Sequence, residues 1–337
     1  MKRKSFKILS IDGGGIKGLY SASVLSRLEE KSGKKASECF DMICGTSTGG
    51  LIALGVACGK SASEMVDLYY KYGNEIFPTS NSKLIRFFQR GLYRQSLQTL
   101  FWGKFSNAPL KRRLTETFGD RKLGELDNLV CIPSFNLISG MPRVFKFPHK
   151  EGGFFMDKEI PIVDAALATS AAPTYFPIHE YNKVLFVDGG VWANNPSLCG
   201  LLEALDYFVG EDKEYQTIKL LSIPSVTQAT GWPTNVRKSR SFWGWRSKLF
   251  QTSMDGQAYF THFFLNKAMK KIIPDANYYR IEPPKLSATH MSVIEMDRAD
   301  KQALDTLKVL GDQDGYTNAN RPEVINFFNS SKTYKTL

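Results

Sequence analysis

Short apolar runs alternate along this chain with longer segments that have helical periodicity. Runs of about four to eight apolar residues are typical of buried strands, and apolar positions three or four residues apart are typical of helices. Strands are predicted at residues 6–11, 40–44, 129–138, 143–147, 183–187 and 219–223. Helices are predicted at about residues 17–31, 51–58, 162–171, 251–272 and 297–311, with a further one beginning at Ser61. This alternation predicts an α/β fold with a mostly parallel sheet.

The chain shows no internal repeat and no long low-complexity linker. We therefore expect one domain over residues 1–337, arranged as a three-layer sandwich with helices on both faces of the central sheet. The motifs described below fall within about residues 6–225. Residues 226–337 are expected to form a mainly helical C-terminal elaboration.

The sharpest motif is G-x-S-x-G at residues 45–49, placed between a predicted strand and a predicted helix. A strained strand-to-helix turn of this kind holds the serine oxygen out at the edge of the sheet. The flanking Gly45 and Gly49 let the backbone turn and let a substrate approach. A helix that begins at the serine also offers its positive end to a developing oxyanion. Ser47 is therefore the candidate nucleophile.

A glycine-rich turn, DGGGIKG at residues 12–18, also follows a predicted strand and opens a helix. The consecutive amides of Gly13, Gly14 and Gly15 are suited to an oxyanion hole, and Lys17 adds positive potential beside them. A tight turn that needs small residues for purely structural reasons accounts for the glycines equally well.

The same turn contains G-x-G-x-x-G, so a dinucleotide site is an alternative. Asp12 stands immediately before the turn, where it would repel a pyrophosphate. The acid expected at the end of the second strand is missing, because Asp41 lies near the beginning of that strand. A Walker P-loop fails as well, since G-x-x-x-x-G-K-[ST] is absent from the turn.

The nucleophile needs a base, and none of the four histidines lies in a recognisable catalytic setting. Asp188 follows a predicted strand and is itself followed by the turn of Gly189 and Gly190. This position would expose the Asp188 carboxylate at the same sheet edge as Ser47. A Ser–Asp dyad is sufficient if the carboxylate lies within hydrogen-bond reach and is partly desolvated. Taken alone, Asp188 is better explained as a turn-forming Asp-Gly.

Together, the three motifs resemble those of the patatin-like phospholipase family. The family's D-G-G-G-x-[KR]-G maps onto residues 12–18, its G-x-S-x-G onto residues 45–49 and its D-G-[GA] onto residues 188–190, in the family's order. Residues 168–176 (ATSAAPTYF) look like a further family segment that lines the cleft. The resemblance spans about residues 6–225.

The resemblance implies a lipid acyl hydrolase of the phospholipase A type, which cleaves fatty acyl esters of membrane phospholipids through an acyl-enzyme. It implies that Ser47 is the nucleophile, Asp188 the base and residues 13–15 the oxyanion hole. No acidic cluster suggests calcium, so activity is expected without a metal or other cofactor. At residues 221–225 the chain reads LSIPS, where many members have a glycine-bearing L-S-[IL]-G-T-G strand end. This departure leaves the dyad intact but leaves open the local loop shape and the substrate fit.

The composition shows that the chain is basic. The 337 residues include 44 Lys and Arg against 33 Asp and Glu, a net charge of +11. The hydrophobic fraction of 42% is ordinary for a globular protein and excludes wholesale disorder. Residues 76–115 hold eight cations and residues 215–254 hold six, and neither segment contains an acid. The basicity therefore lies in two segments, which indicate a polyanionic partner.

Both basic segments also carry aromatic residues. Residues 83–94 follow a helical spacing of cations, and such a helix would either lie on an anionic membrane or pack on the core as an ordinary surface helix. The sequence RSFWGWR at residues 240–246 suits either interfacial lipid or an anionic nucleotide. The candidate residues for membrane or ligand contact are Arg86, Arg90, Arg94, Trp102, Arg240, Trp243 and Trp245.

The size and single-domain form of the chain resemble one bacterial branch of the family, the phospholipase effectors of CBASS anti-phage defence. Members of that branch are switched on by cyclic oligonucleotides that promote assembly. The resemblance implies a cyclic di- or trinucleotide activator and a homo-oligomer on activation. Membrane phospholipid is then the substrate, and no long nucleic acid is expected as a partner.

The five cysteines have no CxxC spacing, which favours free thiols in a reducing compartment. No apolar run approaches the ~18 residues of a membrane-spanning helix. The apolar stretch near the N-terminus ends too early for a signal peptide. We therefore expect a cytoplasmic protein that is peripheral at the inner membrane when active.

Other functions remain open on the sequence alone. A soluble-ester hydrolase or an acyltransferase would use the same dyad. A dinucleotide-dependent oxidoreductase would depend on the glycine-rich turn, and a non-catalytic membrane or nucleic-acid binder would depend on the charge.

Overall fold

The computed structural model describes residues 3–78, 104–150, 155–226, 238–239, 245 and 247–334. In these residues the strands are β1 (Ser5–Ile11), β2 (Met42–Gly45), β3 (Leu129–Asn136), β4 (Met141–Lys146), β5 (His179–Tyr181), β6 (Val184–Asp188), β7 (Thr217–Ile223) and β8 (Asn277–Arg280). They form one sheet with the order β5-β6-β3-β2-β1-β7-β8, and β4 also pairs with β3.

The helices of the same ranges alternate with these strands. They are α1 (Gly18–Ser32), α2 (Ala36–Cys39), α3 (Thr48–Ala57), α4 (Ala62–Ile76), α5 (Ala108–Phe118), α6 (Ile162–Ser170), α7 (Gly190–Ala193), α8 (Ser197–Tyr207), α9 (Ser247–Ile272), α10 (Ala288–Val293), α11 (Lys301–Ala319) and α12 (Pro322–Ile325). Helix α4 begins with the capping box that Ser61 and Glu64 predict, since the Ser61 hydroxyl accepts the Glu64 amide.

The centre of the sheet is parallel, as the sequence predicts. Strands β3, β2, β1, β7 and β8 run in one direction. Strands β4 and β6 pair antiparallel with opposite edges of β3. Strand β8 was not predicted, because its four residues NYYR are all half-buried and form no apolar run.

Helices cover both faces of the sheet, which confirms the three-layer sandwich. In α8, a Cβ added at Gly200 would lie 2.5 Å from the Cys44 sulfur and 3.1 Å from Ile8, on one face of the sheet. In β2, a Cβ added at Gly45 would lie 2.7 Å from Ala53 of α3, on the other face. Successive strand residues point to opposite faces, so α8 and α3 lie on opposite sides of β2.

The C-terminal residues join the same sheet and core. Strand β8 extends the sheet beyond β7, so residues 226–337 are not purely helical. Helix α11 packs closely on α1, where a Cβ added at Gly311 would lie 2.6 Å from the Tyr20 carbonyl oxygen. Further along, the rings of Phe40 and Phe328 meet edge to face at 5.3 Å.

A buried ion pair ties β1 to β8. Asp12 directly follows β1 and is 1% exposed, and Arg280 is the last residue of β8. The Arg280 guanidinium donates to Asp12 Oδ1 at 3.1 Å and to Ser222 Oγ at 2.6 Å, and a second nitrogen donates to Asp12 Oδ2. Burial raises the pKa of Asp12, and the facing guanidinium opposes that rise. Without Arg280, the carboxylate would be left buried and uncompensated.

We expect Arg280→Met to lower the free energy of unfolding by about 3–5 kcal/mol, because it removes the counter-charge of a buried carboxylate. The double variant Asp12→Asn/Arg280→Met should recover part of this loss. The control is Arg3→Met, the same substitution in the exposed pair of Arg3 with Asp275, which should cost less than about 1 kcal/mol. Urea unfolding measures all three, and equal losses for the two single variants would contradict the interpretation.

Candidate active site

Three turns meet at one edge of the sheet. The register of the parallel strands sets Ile11 beside Gly45 and beside Ile223, so the segments that follow β1, β2 and β7 emerge together. Strand β3 continues past the end of β2, and the antiparallel β6 pairs with this extension, with Asp188 opposite Ser134. Asp188 thereby reaches the edge at which β2 ends, although β6 runs in the opposite direction to β2.

Ser47 occupies a strained turn between β2 and α3. Its φ of 54° and ψ of −127° lie in a region that favours glycine. The glycines of the motif allow the chain to pass closely, since a Cβ at Gly49 would lie 2.4 Å from the Ile11 carbonyl oxygen. The strain and the close packing match the strand-to-helix turn that G-x-S-x-G predicts.

Thr169, near the end of α6, fixes the backbone of this turn. Its hydroxyl accepts the Ser47 amide at 3.0 Å and donates to the Pro133 carbonyl at 2.5 Å. Its carbonyl accepts the Gly189 amide at 3.3 Å. One residue therefore binds both Ser47 and the residue that follows Asp188. The sequence located Thr169 only as part of the segment 168–176, and its one local signal is a hydroxyl at the end of an apolar helix.

Asp188 is buried beside Ser47. It is 1% exposed, its Oδ1 accepts the Gly190 amide at 2.7 Å, and its carboxylate is hydrogen-bonded by the Ser47 side chain. Burial raises the pKa of Asp188 to about 7, and the hydrogen bonds from Ser47 and Gly190 partly oppose the rise. A carboxylate with a pKa near neutrality can take a proton from a hydroxyl and return it.

The four histidines all lie in the described residues, and none is hydrogen-bonded to Ser47 or Asp188. The partners are Glu203 for His149, Asp164 for His179 and Tyr278 for His262, while the His290 amide is capped by Ser287.

The glycine-rich turn offers fewer free amides than the sequence suggested. The Gly13 amide donates to the Asn194 carbonyl at 3.1 Å, so it is already engaged. The amides of Gly14 and Gly15 donate to no other group in the described ranges. The candidate oxyanion donors are therefore Gly14 and Gly15, and Gly13 instead holds the turn against the segment that follows Asp188.

Ser225 and Met296, to which the sequence analysis gave no role, enclose the glycine-rich turn. A Cβ at Gly14 would lie 2.0 Å from Ser225 Oγ, in the LSIPS segment where the chain departs from the family pattern. A Cβ at Gly15, whose φ is +61°, would lie 2.2 Å from the Met296 carbonyl oxygen. The Met296 carbonyl also accepts the Ile16 amide at 2.8 Å. This oxygen lies where a pyrophosphate would have to bind, which argues against the dinucleotide alternative.

Lys17 lies under the turn and is 4% exposed. Its ammonium group donates to the Val226 carbonyl at 2.8 Å. Burial lowers the pKa of Lys17, and the charge of Asp255 on α9 opposes this. The amino group predicted at this position therefore lies close to the turn, where burial disfavours its positive charge and Asp255 favours it.

An apolar pocket opens beside Ser47. Its walls come from α3, α4 and the segment after α6, and Met296 closes one side. The free volume is about 30 Å³, close to the share of one water molecule. A fatty acyl chain does not fit this space unless side chains move. The main apolar lining residues are Leu51, Leu68, Tyr69, Phe77, Tyr175 and Phe176.

One of the predicted membrane or ligand contacts lies in the described residues. Trp245 is 36% exposed, just before α9. The others lie outside the described residues, namely Arg86, Arg90, Arg94, Trp102, Arg240 and Trp243.

The described residues were compared with the requirements of a metal site and of a membrane span. In the part of the chain that the structure describes, no three His, Cys, Asp or Glu side chains gather in a way that could hold a metal ion. None of the helices in the described ranges combines the length and hydropathy that crossing a bilayer requires.

Several known proteins are similar to this chain in sequence. The sequence model of the patatin-like phospholipase family matches residues 9–198. A cGAMP-activated phospholipase of Pseudomonas aeruginosa is 33% identical over 307 residues, which cover 91% of this chain and 87% of that protein. A cGAMP-activated phospholipase of Vibrio cholerae is 32% identical over 327 residues, 92% of this chain and 90% of that protein.

Among solved structures, human GIVD cytosolic phospholipase A2 aligns with a TM-score of 0.44 and 12% identity, over 96% of this chain and 60% of its own. The family model covers more than half of the chain, and the bacterial relatives align along nearly all of it. This chain therefore belongs to the patatin-like phospholipase family.

Proposed function

We propose that the protein is a lipid acyl hydrolase of the phospholipase A type, with Ser47 as nucleophile and Asp188 as base. The observation that supports this most is the pair itself. A buried carboxylate with a pKa of about 7 accepts a hydrogen bond from a serine in a strained turn, at the mouth of an apolar pocket. The apolar lining of the pocket suits an acyl chain once its side chains move apart, and phospholipids present acyl esters.

The proposed reaction needs only groups of this chain and water. Asp188 takes the Ser47 proton as the serine oxygen attacks the ester carbonyl, and the amides of Gly14 and Gly15 stabilise the oxyanion. The lysolipid alcohol leaves with the proton from Asp188, and an acyl-enzyme remains. Water then gives a proton to Asp188 and attacks the acyl carbonyl. The fatty acid leaves as Ser47 regains its proton.

Activation by cGAMP is the second part of the proposal. The bacterial relatives with this activity in their names align over 91% or more of this chain. The pocket beside Ser47 is too small for an acyl chain, so a step that opens it would precede turnover. An activating ligand that favours the open pocket would therefore switch the enzyme on.

The competing assignment is a soluble-ester hydrolase or an acyltransferase, because the same dyad supports these reactions. Mass spectrometry of total bacterial lipid after incubation with the protein separates the three. Free fatty acid with lysophospholipid supports the phospholipase, acyl transfer to an added alcohol supports the transferase, and turnover restricted to short soluble esters supports the ester hydrolase.

We expect Ser47→Ala and Asp188→Asn each to lower phospholipid turnover by roughly 10,000-fold, since either change removes an essential partner of the dyad. A fluorophosphonate should label the wild type on Ser47 and leave Ser47→Ala unlabelled. Ser32→Ala, at the end of α1 and away from the site, is the control and should behave like wild type. Full turnover by Ser47→Ala would refute the assignment.

The pH profile should report the unusual pKa of Asp188. Because the base must be ionised, kcat/KM should rise with pH, reach half its maximum near pH 7 and level off above it. The pH dependence of fluorophosphonate labelling should have the same midpoint, since it needs the same base. A midpoint near pH 4, the ordinary range of an aspartate, would contradict the raised pKa of Asp188.

We expect cGAMP to raise phospholipid hydrolysis about tenfold or more, as is typical of coupling between a ligand and an active site. Hydrolysis is measured with and without cGAMP, alongside a panel of other cyclic di- and trinucleotides. Ser47→Ala with cGAMP is the control and should remain inactive. High activity that no ligand of the panel alters would contradict activation.

A further inference from the structure

Helix α9 exposes a set of aromatic side chains that no part of the described structure covers. Tyr259 is 71% exposed, Phe260 63%, Phe263 49% and Phe264 36%. Tyr259 and Phe263 are four residues apart, as are Phe260 and Phe264, so the two pairs lie next to each other on one side of the helix. The rings of Tyr259 and Phe263 stack at 6.5 Å. We call these four residues the aromatic face. Contiguous exposed apolar side chains of this kind mark an interaction surface.

The opposite side of α9 is fixed in the core. Met254, Ala258, Leu265 and Met269 are each at most 4% exposed. The side-chain oxygen of Gln257 accepts a hydrogen bond from the Asn195 amide at 2.9 Å. The aromatic face is therefore not a core face that has failed to pack, because α9 buries a separate apolar side.

The inner side of α9 also touches the active site. A Cβ at Gly190, in the turn after Asp188, would lie 3.6 Å from Met254. The charge of Asp255 acts on Lys17 beneath the glycine turn. The aromatic face thus lies one helix diameter, about 10 Å, from the contacts that α9 makes with the turn after Asp188 and with Lys17 beneath the glycine-rich turn.

The charges around the aromatic face have one sign. Lys267, Lys270 and Lys271 are exposed and continue the same side of the helix by one and two turns. Asp255 is the only acid in α9, it is half-buried, and burial raises its pKa. The exposed side of α9 therefore offers rings and ammonium groups but no carboxylate.

This charge pattern selects the occupant. Two copies of α9 packed in parallel would set lysines against lysines, and two antiparallel copies would set them against Thr252 and Ser253, which are uncharged. An anionic lipid surface supplies the missing counter-charge, and aromatic rings partition into the headgroup layer. We infer that the aromatic face and its three lysines dock the protein on an anionic membrane. This inference rests on the proposed phospholipase function, which requires access to a bilayer.

The test is vesicle co-sedimentation in a Ser47→Ala background, so that the lipid is not hydrolysed. Vesicles of phosphatidylcholine with phosphatidylglycerol are compared with pure phosphatidylcholine, each with and without cGAMP. Phe260→Ser/Phe263→Ser should lower binding to the anionic vesicles about tenfold. Lys267→Gln should lower it roughly fivefold, with further losses for the other two lysines. The matched control is Tyr316→Ser on α11, whose side chain is 70% exposed, and it should bind like the parent.

Several outcomes would overturn the inference. The first is that Phe260→Ser/Phe263→Ser binds the anionic vesicles as tightly as the parent. The second is that the parent binds neutral and anionic vesicles equally. The third is that the parent binds no vesicle under any of the conditions. Sedimentation equilibrium adds another, because a dimer that dissociates in Phe260→Ser/Phe263→Ser would identify the face as a contact between copies. Turnover of a short soluble ester, measured with Ser47 intact, separates the two proposals. The aromatic variant should keep this turnover, whereas its absence in the parent protein would count against the phospholipase.

Discussion

The site depends on the parallel pairing of β1 with β2, in a register that sets Ile11 beside Gly45. This pairing forces the glycine-rich turn and the Ser47 turn into direct contact. A Cβ at Gly13 would lie 3.1 Å from the Ser47 Cβ, and a Cβ at Gly49 would lie 2.4 Å from the Ile11 carbonyl oxygen. The glycines of two motifs that are far apart in sequence therefore serve one requirement, the close approach of two backbone turns.

Two buried aspartates at this edge of the sheet, Asp12 and Asp188, differ in their properties because their surroundings differ. Burial raises the pKa of both. Asp12 faces the Arg280 guanidinium, which holds it as part of a structural ion pair between β1 and β8. Asp188 has hydrogen bonds from Ser47 and Gly190 in place of a cation, and its pKa of about 7 suits proton transfer. The position of one arginine separates the two roles.

The C-terminal part of the chain completes the site although the family match ends at residue 198. Arg280 holds Asp12, the Met296 carbonyl abuts the glycine turn, and Gln257 binds the segment after Asp188. The residue pattern of this part predicts a mainly helical elaboration and no role in the site. Its contacts with the motifs join residues more than sixty positions apart, and no local pattern of residue types records such pairings.

The sequence by itself determined the parts of this protein that depend on local chemistry. Apolar runs that end in glycine-rich turns predicted β1, β2 and the location of Ser47. An Asp-Gly-Gly after an apolar run predicted that the Asp188 carboxylate lies at the same sheet edge. Tertiary structure decided which amides stay free in the glycine turn, because Gly13 finds its acceptor at Asn194 only once β6 has packed beside β3. It also decided which side of α9 faces outward. That helix is apolar on more than one side, and only packing against the core buries one apolar side and leaves the other exposed.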